Sequence, residues 1–237
     1  WLTSVMDADE RLLVVCNTKR EAAALFERLD LPGTLRFHLS AGMCMAHRKR
    51  ALDELRAALD AKKRLICVST QVIEAGIDVS FSKVIRLTAG LDNAVQAAGR
   101  CNRHGESPGP RPVYLLRAED EKLGSLTEIQ DAQNALNALL AEYAQHPEAF
   151  DGDLASNRAV EFYYKYLYGH QKNNAQNYPL RGGGTLLELL SENAHRAAKN
   201  AHPEFWFLRQ AFQTAGKEFT VFDDQTESVL TPYGEGA

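Results

Sequence analysis

The sequence lacks the features of a membrane or secreted protein. No apolar run approaches the ~18 residues that a membrane-spanning helix requires, and the run at residues 12–16 is only as long as a strand. The N-terminus has no basic segment followed by an apolar one, so no signal peptide is predicted. The four cysteines form no C-x-x-C pair, which argues against a disulfide framework and favours the reducing cytoplasm. Because the chain starts at Trp1, we expect a fragment or a processed piece.

Two sequence motifs of phosphate and metal chemistry are also missing. There is no G-x-x-x-x-G-K-[S/T] loop, since Gly216-Lys217 has no upstream glycine at the required spacing and is followed by Glu218. There is no His-Asp dyad to hold a nuclease metal. The acidic pair at 120–121 follows a predicted strand. Because the sequence has no phosphate loop, this pair is predicted to be a solvent-exposed segment at the end of that strand. A self-contained P-loop ATPase and a His-Asp metal nuclease are therefore excluded.

The composition is that of a globular protein with an uneven charge distribution. Of the 237 residues, 45% are hydrophobic and 24% are charged, which is ordinary for a folded domain. The net charge is +3 over residues 1–120 and −7 over residues 121–237, although the whole chain carries −4. The first half is thus the part suited to face phosphates.

Residues 11–117 alternate between strand and helix patterns. A capping box of Thr18 and Glu21 predicts the start of the first helix, Asp92 is the predicted N-cap of a later one, and residues 46–59 have helical spacing. This alternation predicts an α/β fold with a parallel sheet covered on both faces, whose ligands lie where strands end. The predicted strands cover residues 11–16, 35–39, 64–69, 83–87 and 112–116.

The pattern becomes mainly helical after residue 120. Helices are predicted over 126–143, 158–168, 186–199 and 204–212, and a pair of strands over 219–223 and 228–233. The second of these helices is rich in aromatic residues. Its tyrosines could stack on bases, but packing of the helix against protein is the favoured interpretation.

The strongest motif is Q-x-x-G-R-x-x-R, formed by Gln96, Arg100 and Arg103. On one continuous helix these residues would lie at i, i+4 and i+7, so they would point the same way. An amide and two guanidiniums on one face suit a polyphosphate, and an arginine at the γ-phosphate stabilises the transition state of phosphoryl transfer. The alternative is an ordinary solvated basic face.

A second motif, S-T-x-x-x-E-x-G-x-D, follows the strand at 64–69 directly. Thr70 offers a hydroxyl and main-chain N–H groups to a nucleic-acid phosphate, and Gly76 permits close backbone approach. Asp78 can accept a hydrogen bond from a ribose hydroxyl or orient a water. The alternative is an ordinary turn between a strand and a helix.

Together the two motifs resemble motifs V and VI of superfamily 2 helicases, in the second RecA-like domain, and residues 11–18 are similar to motif IV. The strings at 39–48 and 99–105 and the tail at 211–222 resemble the helicase-nuclease of type I CRISPR systems, the third Cas protein. The aromatic segment at 163–174 is similar to the type I-C branch. The resemblance is dense in motifs over 11–117 and looser toward the end.

This resemblance implies roles for individual residues. Those matching the nucleotide cleft are Gly76, Asp78, Gln96, Arg100 and Arg103, with Gln96 and the two arginines in catalytic roles. Those matching loops that approach DNA are Thr70, Asn17, Ser40, His47 and Arg48. No resident metal is expected in this chain, because the ligands of Mg²⁺ and the phosphate loop for ATP belong to another part of the full-length enzyme. The C-x-x-H pairs at 44–47 and 101–104 could together hold Zn²⁺, but they lie in strings that the helicase resemblance already explains.

The resemblance also implies partners and domains. The expected partners are single-stranded DNA, the first RecA-like and HD nuclease domains of the same protein, and the crRNA-guided surveillance complex, Cascade; no membrane is involved. The domains expected are a second RecA-like domain at 1–120, a helical linker at 121–218 and the start of a small C-terminal domain at 219–237. The function predicted is that of the second RecA-like and C-terminal part of an ATP-dependent single-strand DNA translocase and helicase-nuclease in CRISPR interference. This part would supply arginine fingers and DNA contacts but would be inactive as an ATPase alone. The alternative is a non-catalytic interaction module that docks on the surveillance complex or on an inhibitor.

Overall fold

The computed structural model of the protein describes residues 10–74, 76–119, 121–124, 126–170, 178–181, 183–193, 209–219, 229 and 232–234. These residues divide into two compact units, one within 1–167 together with 231–237 and the other within 168–230. Among the described residues, no helix is both long and apolar enough to cross a lipid bilayer.

The first unit is built on a parallel sheet of five strands in the order β2-β3-β1-β4-β5. This confirms the α/β fold with a parallel sheet. The strands are β1 (Arg11–Val15), β2 (Leu35–Leu39), β3 (Leu65–Ser69), β4 (Lys83–Leu87) and β5 (Val113–Leu116). The helices between them are α1 (Lys19–Arg28), α2 (Met45–Asp60) and α3 (Leu91–Ala98).

The alternation of side chains along the central strands produces two separate cores. Leu13 and Val15 of β1 pack with Leu55 of α2 on one face of the sheet. Leu12 and Val14 pack with α1 on the other face. The period of two along a strand thus sets which helix each residue meets. The β3 strand is buried along its whole length, as expected for a strand between two helical layers.

Two further helices complete the first unit. They are α4 (Thr127–Gln145) and α5 (Asn157–His170), joined through a short 3₁₀ turn at Pro147–Phe150. The tyrosine-rich α5 packs against α3 and α4, and Tyr163 is completely buried there. Its hydroxyl donates to Asp92 Oδ1 at 3.3 Å. For Tyr163 the predicted packing role is therefore confirmed.

The second unit contains α6 (Leu186–Leu190) and α7 (Phe212–Glu218). Its small core is formed by Leu180, Leu189 and Ala215. A capping box of Thr185 and Glu188 starts α6, so this short helix has a defined first turn.

Several predicted boundaries were wrong. The N-cap of α3 is Gly90, and Asp92 lies inside the first turn. The helix predicted over 186–199 ends at Leu190 among the described residues, and its part at 194–199 lies outside them. Of the helix predicted over 204–212, residues 204–208 lie outside the described residues, 209–211 are not α-helical, and α7 begins at Phe212. Most of the predicted strand pair at 219–223 and 228–233 also lies outside them.

Candidate functional site

Three predicted DNA-contact residues lie together at the carboxyl edge of the sheet. Asn17, Ser40 and Thr70 follow β1, β2 and β3, which are neighbours in the sheet. The main chains of these strands continue to pair at this edge, since Thr70 N donates to Leu39 O at 3.0 Å and Cys16 N donates to Ser69 O at 2.8 Å. All three predicted residues are buried in this state of the chain. The sheet thus brings them to one edge, as parallel strands require.

The side chain of Asn17 is fully occupied within the protein. Its Nδ2 donates to Thr88 O at 2.8 Å and to Glu121 Oε1 at 2.5 Å. Its Oδ1 accepts a bond of 2.6 Å from Arg86 Nη1. Contact between this amide and DNA would require those bonds to break, so the amide is placed to hold the edge together. Gln133 of α4 adds a second donor to both Thr88 O and Glu121.

At the centre of this edge lies a buried ion pair that the sequence reasoning missed. Arg86 Nε lies 2.7 Å from Glu74 Oε1, and both side chains are almost completely buried. Burial raises the pKa of the Glu74 carboxyl, and the adjacent Arg86 guanidinium opposes the rise. A signal was available, because an arginine between the apolar residues of the strand K-V-I-R-L needs a buried partner.

His47 and Arg48 lie on the first turn of α2 and away from buried partners. The ring of His47 stacks on Tyr233, with the centroids 4.8 Å apart. Arg48 Nη2 contacts Met45 Sδ at 3.2 Å. Because α2 begins at Met45, both residues follow the β2 strand by a short loop.

The predicted single helical face of Gln96, Arg100 and Arg103 is wrong. The α3 helix ends at Ala98, with Gly99 as its C-cap. Only Gln96 lies on the helix, where its side chain is exposed, and both arginines lie on the turn that follows. Glycine has a low helix propensity, which favours an end at this position. The arginines consequently point to different neighbours.

Arg100 is buried and bonded to the main chain of the other motif. Its Nε donates to Ile73 O at 3.0 Å and its Nη2 donates to Glu74 O at 2.7 Å. These carbonyls belong to the end of the 3₁₀ turn Gln71–Ile73 and the residue after it. Arg100 therefore fixes the connection that carries Thr70 at one end and Gly76 at the other.

Arg103 is the more exposed of the two arginines. Its Nε donates to Asp78 Oδ1 at 2.8 Å, with 42% of the Arg103 side chain and 72% of the Asp78 side chain exposed. His104 Nε2 lies 3.3 Å from the same carboxylate oxygen. The hydrogen bond from Arg103 and the contact with His104 lower the pKa of Asp78, so the carboxyl is an anion at neutral pH. Gly76, in the left-handed region at φ +71°, precedes this pair and is exposed.

The Arg103–Asp78 pair does not lie at the carboxyl edge. Phe81 pairs with Cys101, and Ser82 N donates to Arg11 O at the first residue of β1. The pair thus lies near the amino ends of β1 and β4. A depression of about 260 Å³ adjoins it, lined by side chains of both charges that include Asp78 and His104. The expectation that all the informative residues follow strand ends is therefore wrong for this pair.

The described residues contain no cluster of three or more metal-ligating side chains. The residues that fit a nucleotide phosphate are Arg103, with its exposed guanidinium, and the glycine turn at Gly76. The guanidinium of Arg103 can bind an anion, because it already binds the Asp78 carboxylate.

The five-stranded parallel sheet with its flanking helices is a RecA-like fold. Residues 8–106 match the family model described as CRISPR-associated nuclease/helicase Cas3, C-terminal. The match covers less than half of the chain, and over these residues the chain is similar to the C-terminal part of that nuclease/helicase.

Two curated relatives are similar to parts of the chain. The chain is 42% identical over 78 residues to the CRISPR-associated nuclease/helicase Cas3 of Haloferax volcanii, which covers 31% of this chain and 8% of the relative. It is 24% identical over 140 residues to that of Methanothermobacter thermautotrophicus, which covers 58% of this chain and 17% of the relative. The chain thus spans less than a fifth of the length of either relative.

The fold is also similar to a solved structure. The crystal structure of T. fusca Cas3-ATP matches with a TM-score of 0.53 and 17% identity, over 71% of this chain and 21% of that one. At this identity the likeness supports the shared fold.

Proposed function

We propose that this chain supplies the second RecA-like domain of an ATP-dependent DNA helicase that acts in CRISPR interference. The observation that carries the proposal is the exposed guanidinium of Arg103, held by Asp78 beside the turn at Gly76. The domain bounds 1–120, 121–218 and 219–237 and the type I-C subtype are parts of the same proposal.

Arg103, and not Arg100, is proposed to reach the nucleotide. Two nitrogens of Arg100 are bonded to buried carbonyls, so moving that guanidinium would leave the carbonyls without donors. Arg103 is bound mainly to an exposed carboxylate, and exposed ion pairs contribute little. A phosphate presented by a partner domain can therefore replace Asp78 at small cost. ATP supplies the phosphoryl group, and Arg103 would neutralise charge that develops on it.

The carboxyl edge is proposed to hold single-stranded DNA. Thr70 and Ser40 lie side by side there, and His47 and Arg48 extend the surface along the start of α2. Contacts of this kind go mainly to phosphates, so binding would depend strongly on salt and weakly on sequence. The first RecA-like domain, the HD nuclease domain and the crRNA-guided surveillance complex, Cascade, are proposed as partners.

The chain alone is proposed to be inactive as an ATPase. Its sequence contains no phosphate loop, and phosphoryl transfer needs that loop and the ligands of Mg²⁺ in place. A second RecA-like domain would contribute its arginine only when a first domain closes on it.

The experiment is ATP turnover, stimulated by single-stranded DNA, in a polypeptide that carries this chain together with the first RecA-like domain. Arg103→Ala is expected to lower turnover by about 10³-fold or more, the range for an arginine finger. Arg158→Ala is the matched control, because it removes an exposed arginine that also pairs with an aspartate, Asp151 at 3.3 Å. Unchanged turnover in Arg103→Ala would contradict the proposal and favour a non-catalytic interaction module.

A further inference from the structure

The segment that carries Arg103 begins at a residue with an unusual backbone. Asn102 has φ +49°, in the left-handed region that few residues other than glycine and asparagine adopt. Its N–H donates to Phe81 O at 2.8 Å, and Phe81 N donates to Arg100 O at 2.9 Å. Since Phe81 is almost completely buried, the chain is anchored to the core up to Asn102.

The side chain of Asn102 closes the loop that follows. Its Oδ1 accepts from Ser107 N at 2.9 Å, and its Nδ2 donates to Ser107 O at 3.0 Å and to Gly109 O at 3.3 Å. A single amide thus bonds both main-chain groups of Ser107, as a paired strand would. The enclosed loop contains Arg103 and His104.

A second contact holds the far side of the same loop. Glu106 Oε2 lies 3.0 Å from Arg11 Nη2 at the start of β1. Gly105, at φ +66°, makes the turn between the two anchors, and its N–H donates to Asn102 O at 3.0 Å. The loop is therefore tied to the sheet at both ends while the side chains of Arg103 and His104 stay exposed.

We infer that Asn102 is a positioning residue that fixes the base of Arg103, so that its guanidinium is aimed before a phosphate arrives. This inference rests on the proposed function. Asp78 binds the guanidinium of Arg103, and this ion pair must break when a phosphate binds. The amide of Asn102 bonds to neither the Arg103 guanidinium nor Asp78. It can therefore hold the main chain at Arg103 in place while a phosphate replaces Asp78. Misplacing a catalytic group by about 1 Å can cost on the order of 10²-fold in rate.

The test uses Asn102→Gly in the same polypeptide and ATPase assay. Glycine accepts the positive φ without strain, so this substitution removes the amide bonds and keeps the backbone conformation available. Turnover at saturating ATP is expected to fall by about 10- to 100-fold, with little change in KM for ATP. Ser107→Ala is the matched control, because only main-chain atoms of Ser107 take part in the bonds; it is expected to behave as the wild type.

A double variant separates positioning from general stability. If Asn102 acts through Arg103, then Asn102→Gly adds no further loss in the Arg103→Ala background. The inference would be overturned if Asn102→Gly lowered turnover equally in the wild-type and Arg103→Ala backgrounds, or if Asn102→Gly had wild-type turnover. In either case a large effect of Arg103→Ala would still support the proposed function. No effect of Arg103→Ala would overturn both.

Discussion

The buried pair of Arg86 and Glu74 gives the sharpest prediction about stability. The Arg86 side chain is 0% exposed and that of Glu74 is 3% exposed. The substitution Arg86→Met removes the ion pair and the bonds of 2.6 and 2.8 Å that Nη1 donates to Asn17 Oδ1 and Leu87 O. Methionine fills part of the volume with an apolar chain, so the main change is electrostatic.

The expected loss of stability follows from the buried polar groups that lose a partner in Arg86→Met. Glu74 keeps only a long contact of 3.5 Å from Asn93 Nδ2, and Asn17 loses its donor. Removing one partner of a buried ion pair costs about 3–5 kcal/mol. Because a domain is stabilised by only about 5–15 kcal/mol, Arg86→Met should lose at least about a fifth of the free energy of unfolding.

The loss of stability in Arg86→Met is expected to depend on pH in one direction. Without Arg86, only the long hydrogen bond from Asn93 opposes the effect of burial, so the pKa of Glu74 in the folded state rises further. A folded state that binds more protons than the unfolded state loses stability as pH rises. The deficit of Arg86→Met is therefore expected to be larger at about pH 8 than at about pH 6.

The assay is urea unfolding of the chain, followed by circular dichroism, with hydrogen exchange of the β1 and β4 amides to locate the loss. Lys165→Met is the control, since Lys165 and Glu161 also lie 2.7 Å apart but both are exposed. The double variant Arg86→Met with Glu74→Leu should recover much of the loss, because apolar replacements of buried pairs are often neutral. A loss in Arg86→Met no larger than that in Lys165→Met would show that the buried ion pair does not stabilise the domain.

Two further substitutions test the packing and charge of the first unit. Burial raises the pKa of Glu10, but the hydrogen bond from Ser82 and the ammonium of Lys83 outweigh it and hold the pKa below its ordinary value of 4.5. The stabilisation by Glu10 is thus present above about pH 4.5 and is lost as pH falls through the lowered pKa. In Glu10→Gln, the free energy of unfolding measured in urea should therefore fall less steeply below about pH 4.5. An unchanged dependence on pH would contradict this. Gly90→Ala would bring a Cβ against the Tyr163 hydroxyl and Asp92, which should cost about 1–3 kcal/mol, and Tyr163→Phe in the same background should relieve part of it in thermal unfolding.

The sheet was predictable because each strand is short, apolar and followed by a helix. The bounds of β2 and β4 agree with the prediction at both ends, and those of β1, β3 and β5 differ by one residue at one end. The capping box of Thr18 and Glu21 is present as predicted. Such local signals depend on neighbours in the sequence, so the sequence alone carries them.

The site was less predictable, because its contacts join distant parts of the chain. The spacing of Gln96, Arg100 and Arg103 assumed one helix, but Gly99 ends it and sends the arginines to separate carbonyl and carboxylate partners. The burial of Asn17 was also hidden, since its partners Arg86 and Glu121 are 69 and 104 residues away. Only the fold brings such groups together.

These long-range contacts connect the two parts of the proposed site. Glu74 is held twice, by Arg86 through its carboxylate and by Arg100 through its carbonyl. It lies on the connection that starts at Thr70 on the carboxyl edge and reaches Asp78 near the amino ends of the strands. If a phosphate draws Arg103 from Asp78, the released end of this connection is still clamped at Glu74. The segment from Thr70 to Glu74 is thus anchored at one end by Thr70 N, which donates to Leu39 O, and at the other end by Arg86 and Arg100.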